Sequence, residues 1–291
     1  MAGSEAGNEA GIRTVGDACL RVLVNIDITG SMGNELEGVK SAVSEFATLC
    51  TGFDVPVIFA IATFTESKQG CFVSLKEMPA SEEAVSCVSN IRLSTPPDAD
   101  NLTANGDDGP ENQKAALFKM CELDPTVPTI AFLITDAEPH MQSIGTSPTA
   151  EHELRWLQTR GLEPEVAKDL FRVFGKVLNH FQDNLVLNCV LLNGDDSDQA
   201  IYGSLAQQTG GMLMQPRSRS PSVLASGLMA VVKTLISRMP GQQQHAANGA
   251  ANQDPSALDG FRLMDLSNLP ARNTEQVSTL LPPAATATAI S

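Results

Sequence analysis

The sequence predicts an α/β protein: a doubly wound, mostly parallel central sheet flanked by helices, with one antiparallel edge strand. Two observations carry that prediction. Short apolar runs alternate along the chain with segments of helical periodicity, and most of these runs are apolar on both faces, as strands covered on two sides must be. A third observation bears on function. Two of the runs stop at a carboxylate, Asp27 and Asp136.

The elements follow in order. RVLVNI (21–26) reads as a fully buried strand, and Leu36, Val39, Val43, Phe46 and Leu49 then recur on one helical face. VPVIFAIATF (55–64) is a second strand, and GCFVSLKEM (70–78) pairs with it as a hairpin. SEEAVSCVSNI opens as a short helix with a serine cap and glutamate close behind. The polar loop STPPDADNLTANGDD leads to a helix beginning PENQKAALFKM, and TIAFLI (129–134) is the next strand. A second loop runs to a helix starting near Pro164, where a first turn tolerates proline; its inner face is Val166, Leu170, Val173, Phe174, Val177 and Phe181. NLVLNCVLL (184–192), the N-capped helix in GDDSDQAIYGSLAQQTG, the short strand GMLMQP and the helix PSVLASGLMAVVKTLISRM complete the series.

Composition bounds the function. The chain has 291 residues, 42% of them hydrophobic, and a net charge of −15. So acidic a chain repels phosphate backbones, which argues against nucleic acid as the main partner. Cys19, Cys50, Cys71, Cys87, Cys121 and Cys189 show no CxxC and no metal-type spacing, and read as buried thiols in a reducing compartment. The N-terminus carries no basic start followed by an apolar run, and no segment approaches a membrane span, so the expected location is intracellular and cytoplasmic. Residues 1–18 read as a flexible lead-in, 19–239 as the folded domain, and 240–291 as a low-complexity, disordered tail. Within that tail DGFRLMDLSNLP carries Phe261, Leu263, Met264, Leu266 and Leu269. It reads either as a segment that docks on a partner or on the parent domain, or as disordered chain with a few apolar residues. The sequence sets no oligomeric state.

In a doubly wound sheet Asp27 and Asp136 project at one edge, the carboxyl edge where such folds bind ligands. The loop after Leu93 reaches the same edge and carries Thr103, Asp107, Asp108 and Glu111. Carboxylates and hydroxyls from three loops, without His or Cys, describe a hard oxygen site. Mg²⁺ fits it best, with Mn²⁺ or Ca²⁺ as substitutes. Residues two apart in a turning loop can face the same way, so Asp27, Thr29 and Ser31 can converge on one ion. The competing reading of Asp27 is a simple helix cap, which leaves the paired Asp136 unexplained.

DITGSM resembles the metal-ion-dependent adhesion site (MIDAS) of von Willebrand factor type A domains, whose pattern is D-x-S-x-S, with threonine sometimes in the middle. NGDDGPENQKAAL looks like the second loop of the intracellular, alpha-kinase-associated branch. FLITDAEPH resembles the third loop, and IYGSLAQQTGGMLM the late helix ending in TGG. The resemblance spans about residues 19–239, in the family's order. It implies a Rossmann-like sheet and metal ligands at Asp27, Thr29 and Ser31, at Asp136, and at Asp108 in the second loop. Glu111 and Thr103 are the further second-loop candidates. The D-x-P-E string of Asp108 and Glu111 is equally that of a helix N-cap with a reciprocal glutamate.

The resemblance further implies a non-enzymatic interaction module, in which Mg²⁺ coordinates an Asp or Glu of a protein partner. The alternatives are a Mg-dependent hydrolase or phosphotransferase, with His140 or Glu138 as base, or the accessory portion of a larger kinase or scaffold. No phosphate-binding GxxxxGK[ST], no GxSxG elbow and no GxGxxG after the first strand supports the enzymes. Asp195, Asp196 and Asp198 read as helix-capping acids, and Trp156 and Tyr202 as packing residues.

Overall fold

A computed structural model describes residues 19–53, 55–67, 70–93, 111–141, 148–236, 258 and 260–263. Its sheet follows from the apolar runs. Strands β1 (Leu20–Asp27), β2 (Val57–Ser67), β4 (Thr129–Thr135), β5 (Leu185–Leu191) and β6 (Leu213–Pro216) lie parallel. Strand β3 (Gly70–Met78) returns antiparallel along β2. Strand β7 (Phe261–Leu263) pairs antiparallel with β6, giving the order β3-β2-β1-β4-β5-β6-β7. The sheet therefore has two antiparallel edges where the sequence indicates one. The second is built from a stretch within 240–291.

Helices α1 (Leu36–Leu49), α2 (Ser81–Ser89) and α8 (Pro221–Ile236) cover one face, over Val22, Val24, Ile26 and Phe132. Phe46 of α1 meets Phe59 and Phe132 edge-on, at 6.3 and 5.9 Å between ring centroids. Helices α3 (Gln113–Lys119), α6 (Leu170–Phe181) and α7 (Asp196–Gln207) cover the other, over Leu23, Ala131, Leu133 and Leu187. Leu20, Val22, Val24 and Ile26 of β1 lie in the first core and Leu23 in the second, and all eight residues of the strand are buried. Arg21 is among them, its Nη1 donating to Asp124 O (2.9 Å) and Thr129 Oγ1 (3.1 Å) and its Nε beside Glu77 (3.3 Å).

Helix α4 (Pro148–Thr159) falls in a stretch the sequence gives as loop. Its inward residues are Thr149, Ala150, Glu153 and Leu157, so polar groups interrupt the stripe that marks a buried helix. The helix expected from Pro164 divides into α5 (Pro164–Ala167) and α6, because Asp169 accepts hydrogen bonds from the backbone N–H of Phe171 and Arg172 and starts a new helix. The serine cap expected for α2 is Ala80 instead, with Ser81 already helical. At α7 Asp195 and Asp198 form the reciprocal capping box, as acids in that position should.

Cys50, Cys71 and Cys189 are buried, the other three cysteines are half-buried, and all six are free thiols. Among the described residues no helix is long and apolar enough to cross a membrane.

Candidate metal-binding site

The chain leaves β1 for β2 on one side and leaves β4 for β5 on the other, so the adjacent carboxyl ends of β1 and β4 mark the switch point at which open α/β sheets place their ligands. Asp27 is the last residue of β1, and Asp136 directly follows β4.

The first loop is organised around Asp27. Its Oδ1 accepts the backbone N–H of Thr29 (2.9 Å) and the Thr29 hydroxyl (2.6 Å). Thr29 Oγ1 lies 3.1 Å from Ser31 Oγ, which donates to Asp136 Oδ1 (2.8 Å). A continuous chain of oxygens thus joins the two strand ends. Asp27 caps no helix: the 3-10 turn Gly30–Asn34 begins after Thr29 and has no side-chain cap.

The second loop contributes Glu111. Its backbone pairs with the third loop, Glu111 N donating to Glu138 O (2.9 Å) and His140 N to Glu111 O (3.2 Å). The side chain is buried near Asp27, Thr29, Glu66 and Asp136, and its Oε2 has no hydrogen-bond partner among the described residues. Thr103, Asp107 and Asp108 lie outside the described residues.

Burial dominates the electrostatics. It raises the Asp27 carboxyl to about 6, against the hydrogen bonds from Thr29 and Thr135 and with a further push from Asp136. Glu111 is pushed up to about 11, first by burial and then by the charges of Asp27 and Glu66. Asp136 is raised by burial, with Ser31 and Arg219 pulling the other way. Among the described residues none of the three carboxylates is in an ion pair, so the buried Asp27 and Glu111 are costly to ionise as they stand. Asp27 and Glu111 are buried and Asp136 is half-buried; with the two neutral hydroxyls of Thr29 and Ser31 they offer oxygens of the kind a hard divalent cation takes, while among the described residues no group of three His, Cys, Asp or Glu side chains is placed to hold an ion.

The structure adds residues that the sequence motifs do not name. Thr135 donates to Asp27 Oδ2 (2.7 Å), so both oxygens of that carboxylate are held. The signal was a hydroxyl in the last strand position, immediately before the third-loop acid. Tyr202, read as a packing residue, also donates its hydroxyl to Ala137 O (2.6 Å) and ties the third loop to α7. Arg219 joins Glu35 and Asn193 beside the first loop (2.8 Å to Asn193 Oδ1). Only the folded chain brings these residues together.

His140 faces inward. Its Nδ1 is 3.4 Å from Glu153 and its Nε2 3.9 Å from Glu66, while Lys114 Nζ lies 3.3 Å from Glu153. This interior polar cluster packs α4 against α3 behind the second loop. Trp156, on the same helix, stacks under the Arg160 guanidinium at 3.6 Å.

No family model and no curated protein matches the sequence. Among solved structures the chain is similar to a von Willebrand factor type A protein from Catenulispora acidiphila, at 15% identity and a TM-score of 0.45, over 73% of this chain and 41% of that one. It is also similar to proximal thread matrix protein 1 from the mussel byssus, at 15% identity and a TM-score of 0.41, over 74% of this chain and 48% of that one. Each match spans less than half the length of the solved chain.

Proposed function

We propose that the chain is a metal-dependent protein-interaction module, with Mg²⁺ held at the carboxyl edge of the sheet and completed by an Asp or Glu of a partner protein. The observation that carries this reading is the convergence of Asp27, Thr29, Ser31, Glu111 and Asp136 from three loops, with no ion pair to these acids among the described residues. The resemblance of DITGSM and FLITDAEPH to adhesion-site loops points the same way.

In the proposed roles Asp27, Thr29, Ser31 and Asp136 hold the ion, Glu111 stands at its second-loop side, and Asp108 remains a ligand candidate from the same loop. When bound, Mg²⁺ supplies a local positive charge and an open coordination position for an anionic oxygen. Thr135 and the Thr29 backbone fix the Asp27 carboxylate, so its position is set before any ligand arrives. Thr29 and Ser31 donate neutral oxygens, which leave the positive charge available to a carboxylate from outside. The acidic surface opposes an acidic partner only at short range, about 10 Å at 0.1 M salt. The hydrolase alternative would draw its base from His140 or Glu138; His140 lies against Glu153 and Glu66 in the interior, whereas Glu138 is exposed.

Calorimetric titration of Mg²⁺ and Mn²⁺ into wild type and Asp27→Ala tests the site. Binding to wild type and none to the variant is expected; negligible binding to both sinks the reading. Capture of protein partners with and without chelator, alongside an assay for turnover, then separates module from enzyme.

A further inference from the structure

The outermost strand of the sheet comes from far along the chain. Helix α8 ends at Ile236, and residues 237–257 intervene before Leu258, which packs against the core beneath α8. Strand β7 makes three register pairs with β6: Met214 with Leu263, Gln215 with Arg262 and Pro216 with Phe261. Arg217 N–H donates to Gly260 O (2.7 Å).

The fit of this strand is specific. Phe261 is 2% exposed, its ring lying on the bare face of Gly227, where an added Cβ would sit 2.0 Å from Cε2 and 2.3 Å from Cζ. Gly260 in turn lies against Val223, where a Cβ would be 2.4 Å from Cγ1. Val223 and Gly227 are one helical turn apart, so they form a single notch in α8. Glycine inside a 16-residue helix is unfavourable on its own account, and the ring of Phe261 is the packing reason for it. By contrast Arg262 and Leu263 are exposed, so recognition rests on the Gly-Phe pair and a few backbone hydrogen bonds.

We infer that the β6 edge and the Val223–Gly227 notch form a strand-accepting peptide site, with Leu258–Leu263 as its tethered ligand, and that the same segment of a second copy takes its place when the tethered one leaves. Strand addition at a sheet edge draws affinity from the backbone and specificity from alternate side-chain pockets, and here one pocket is filled by Phe261. The tether, up to about 70 Å if fully extended, is long enough for the segment to leave its own groove and reach another. Exchange of an identical element is a low-cost route to a dimer, because every contact is already selected. The inference does not depend on the metal site.

The test uses the full chain. The Phe261→Ala chain, checked by circular dichroism, is titrated with a fluorescent peptide of residues 254–265. Saturable binding is expected there, at least tenfold tighter than to wild type, whose own strand competes. Adding Gly227→Leu to the variant, or replacing the phenylalanine of the peptide by alanine, should abolish it. Native mass spectrometry of isotopically light and heavy wild-type chains should show mixed dimers that the Phe261→Ala substitution removes. No peptide binding to Phe261→Ala, equal binding to wild type and the Gly227→Leu double variant, or absence of mixed dimers overturns the inference. Should Phe261→Ala fail to fold, a wild-type chain with a protease site inserted after Gly249 is cut and diluted. Release and recapture of the native segment supports exchange, and a segment that never leaves refutes it.

Discussion

The Asp27→Asn variant should separate stability from binding, because Asp27 is fully buried beside other acids and has no ion pair among the described residues. Burial raises the Asp27 carboxyl from 3.8 to about 6, so the native state holds that proton more tightly than the unfolded chain does. The stability contributed by the protonated form is fully present below pH 3.8 and is lost as pH rises through 6. At pH 7 the ionised carboxylate therefore costs the metal-free protein about 3 kcal/mol, from roughly 2 pH units at about 1.36 kcal/mol each. Asparagine has nearly the same shape and keeps one oxygen for the Thr29 donors, but it carries no charge. Its amide loses the acceptor that Thr135 uses, which returns about 1–2 kcal/mol. Urea unfolding in chelator at pH 7 should thus find the variant as stable as wild type, or up to about 2 kcal/mol more so. In saturating Mg²⁺ the order should reverse, since only wild type gains binding free energy in proportion to RT ln(1 + [L]/Kd). A variant that loses more than about 2 kcal/mol in chelator, or that Mg²⁺ stabilises as much as wild type, would refute this reasoning.

Thr135→Val removes the donor to Asp27 Oδ2; a loss of about 1.5–3 kcal/mol and roughly tenfold weaker Mg²⁺ binding are expected by denaturation and calorimetry. An unchanged Mg²⁺ affinity would deny Thr135 its positioning role. Lys114→Met removes the ammonium beside buried Glu153, leaving it His140 and the Ala115 N–H, and should cost about 3–5 kcal/mol, with Glu153→Gln in the same chain recovering part of it in a double-mutant cycle. A single-variant loss below 1 kcal/mol would contradict that pairing. Burial holds the thiols of Cys50 and Cys121 at about 12, so at pH 8 the native protein should alkylate at both far more slowly than the urea-unfolded chain. Mass-spectrometric mapping that finds equal rates would show that the fold does not shield these thiols.

Much of the site was legible before folding. Asp27 and Asp136 stand at the ends of apolar runs, and parallel strands must bring their carboxyl ends to one edge, so their proximity follows from strand type alone. The alternation of Thr29 and Ser31 behind Asp27 gave the first loop in the same way. Glu111 was harder. Its approach to Asp27 depends on the backbone pairing of its loop with Glu138 and His140, a contact between segments distant in sequence. Thr135 does not stand out in the sequence, because a strand-terminal threonine is common, and only the register of β4 beside β1 turns its hydroxyl onto Asp27.

Period and composition determined the α/β class, the order of most elements and the edge at which the acids meet, because these depend on local hydrophobic pattern and on the handed geometry of parallel strands. The tertiary structure decided what pattern cannot encode. Helix α4 forms although its inner face is partly polar, since Glu153 finds Lys114 and the backbone N–H of Ala115 across the interface. Strand β7 forms from three residues in a biased tail, because Gly227, far away in sequence, leaves room for one phenylalanine ring. Both depend on complementarity between distant surfaces, which no window of sequence contains.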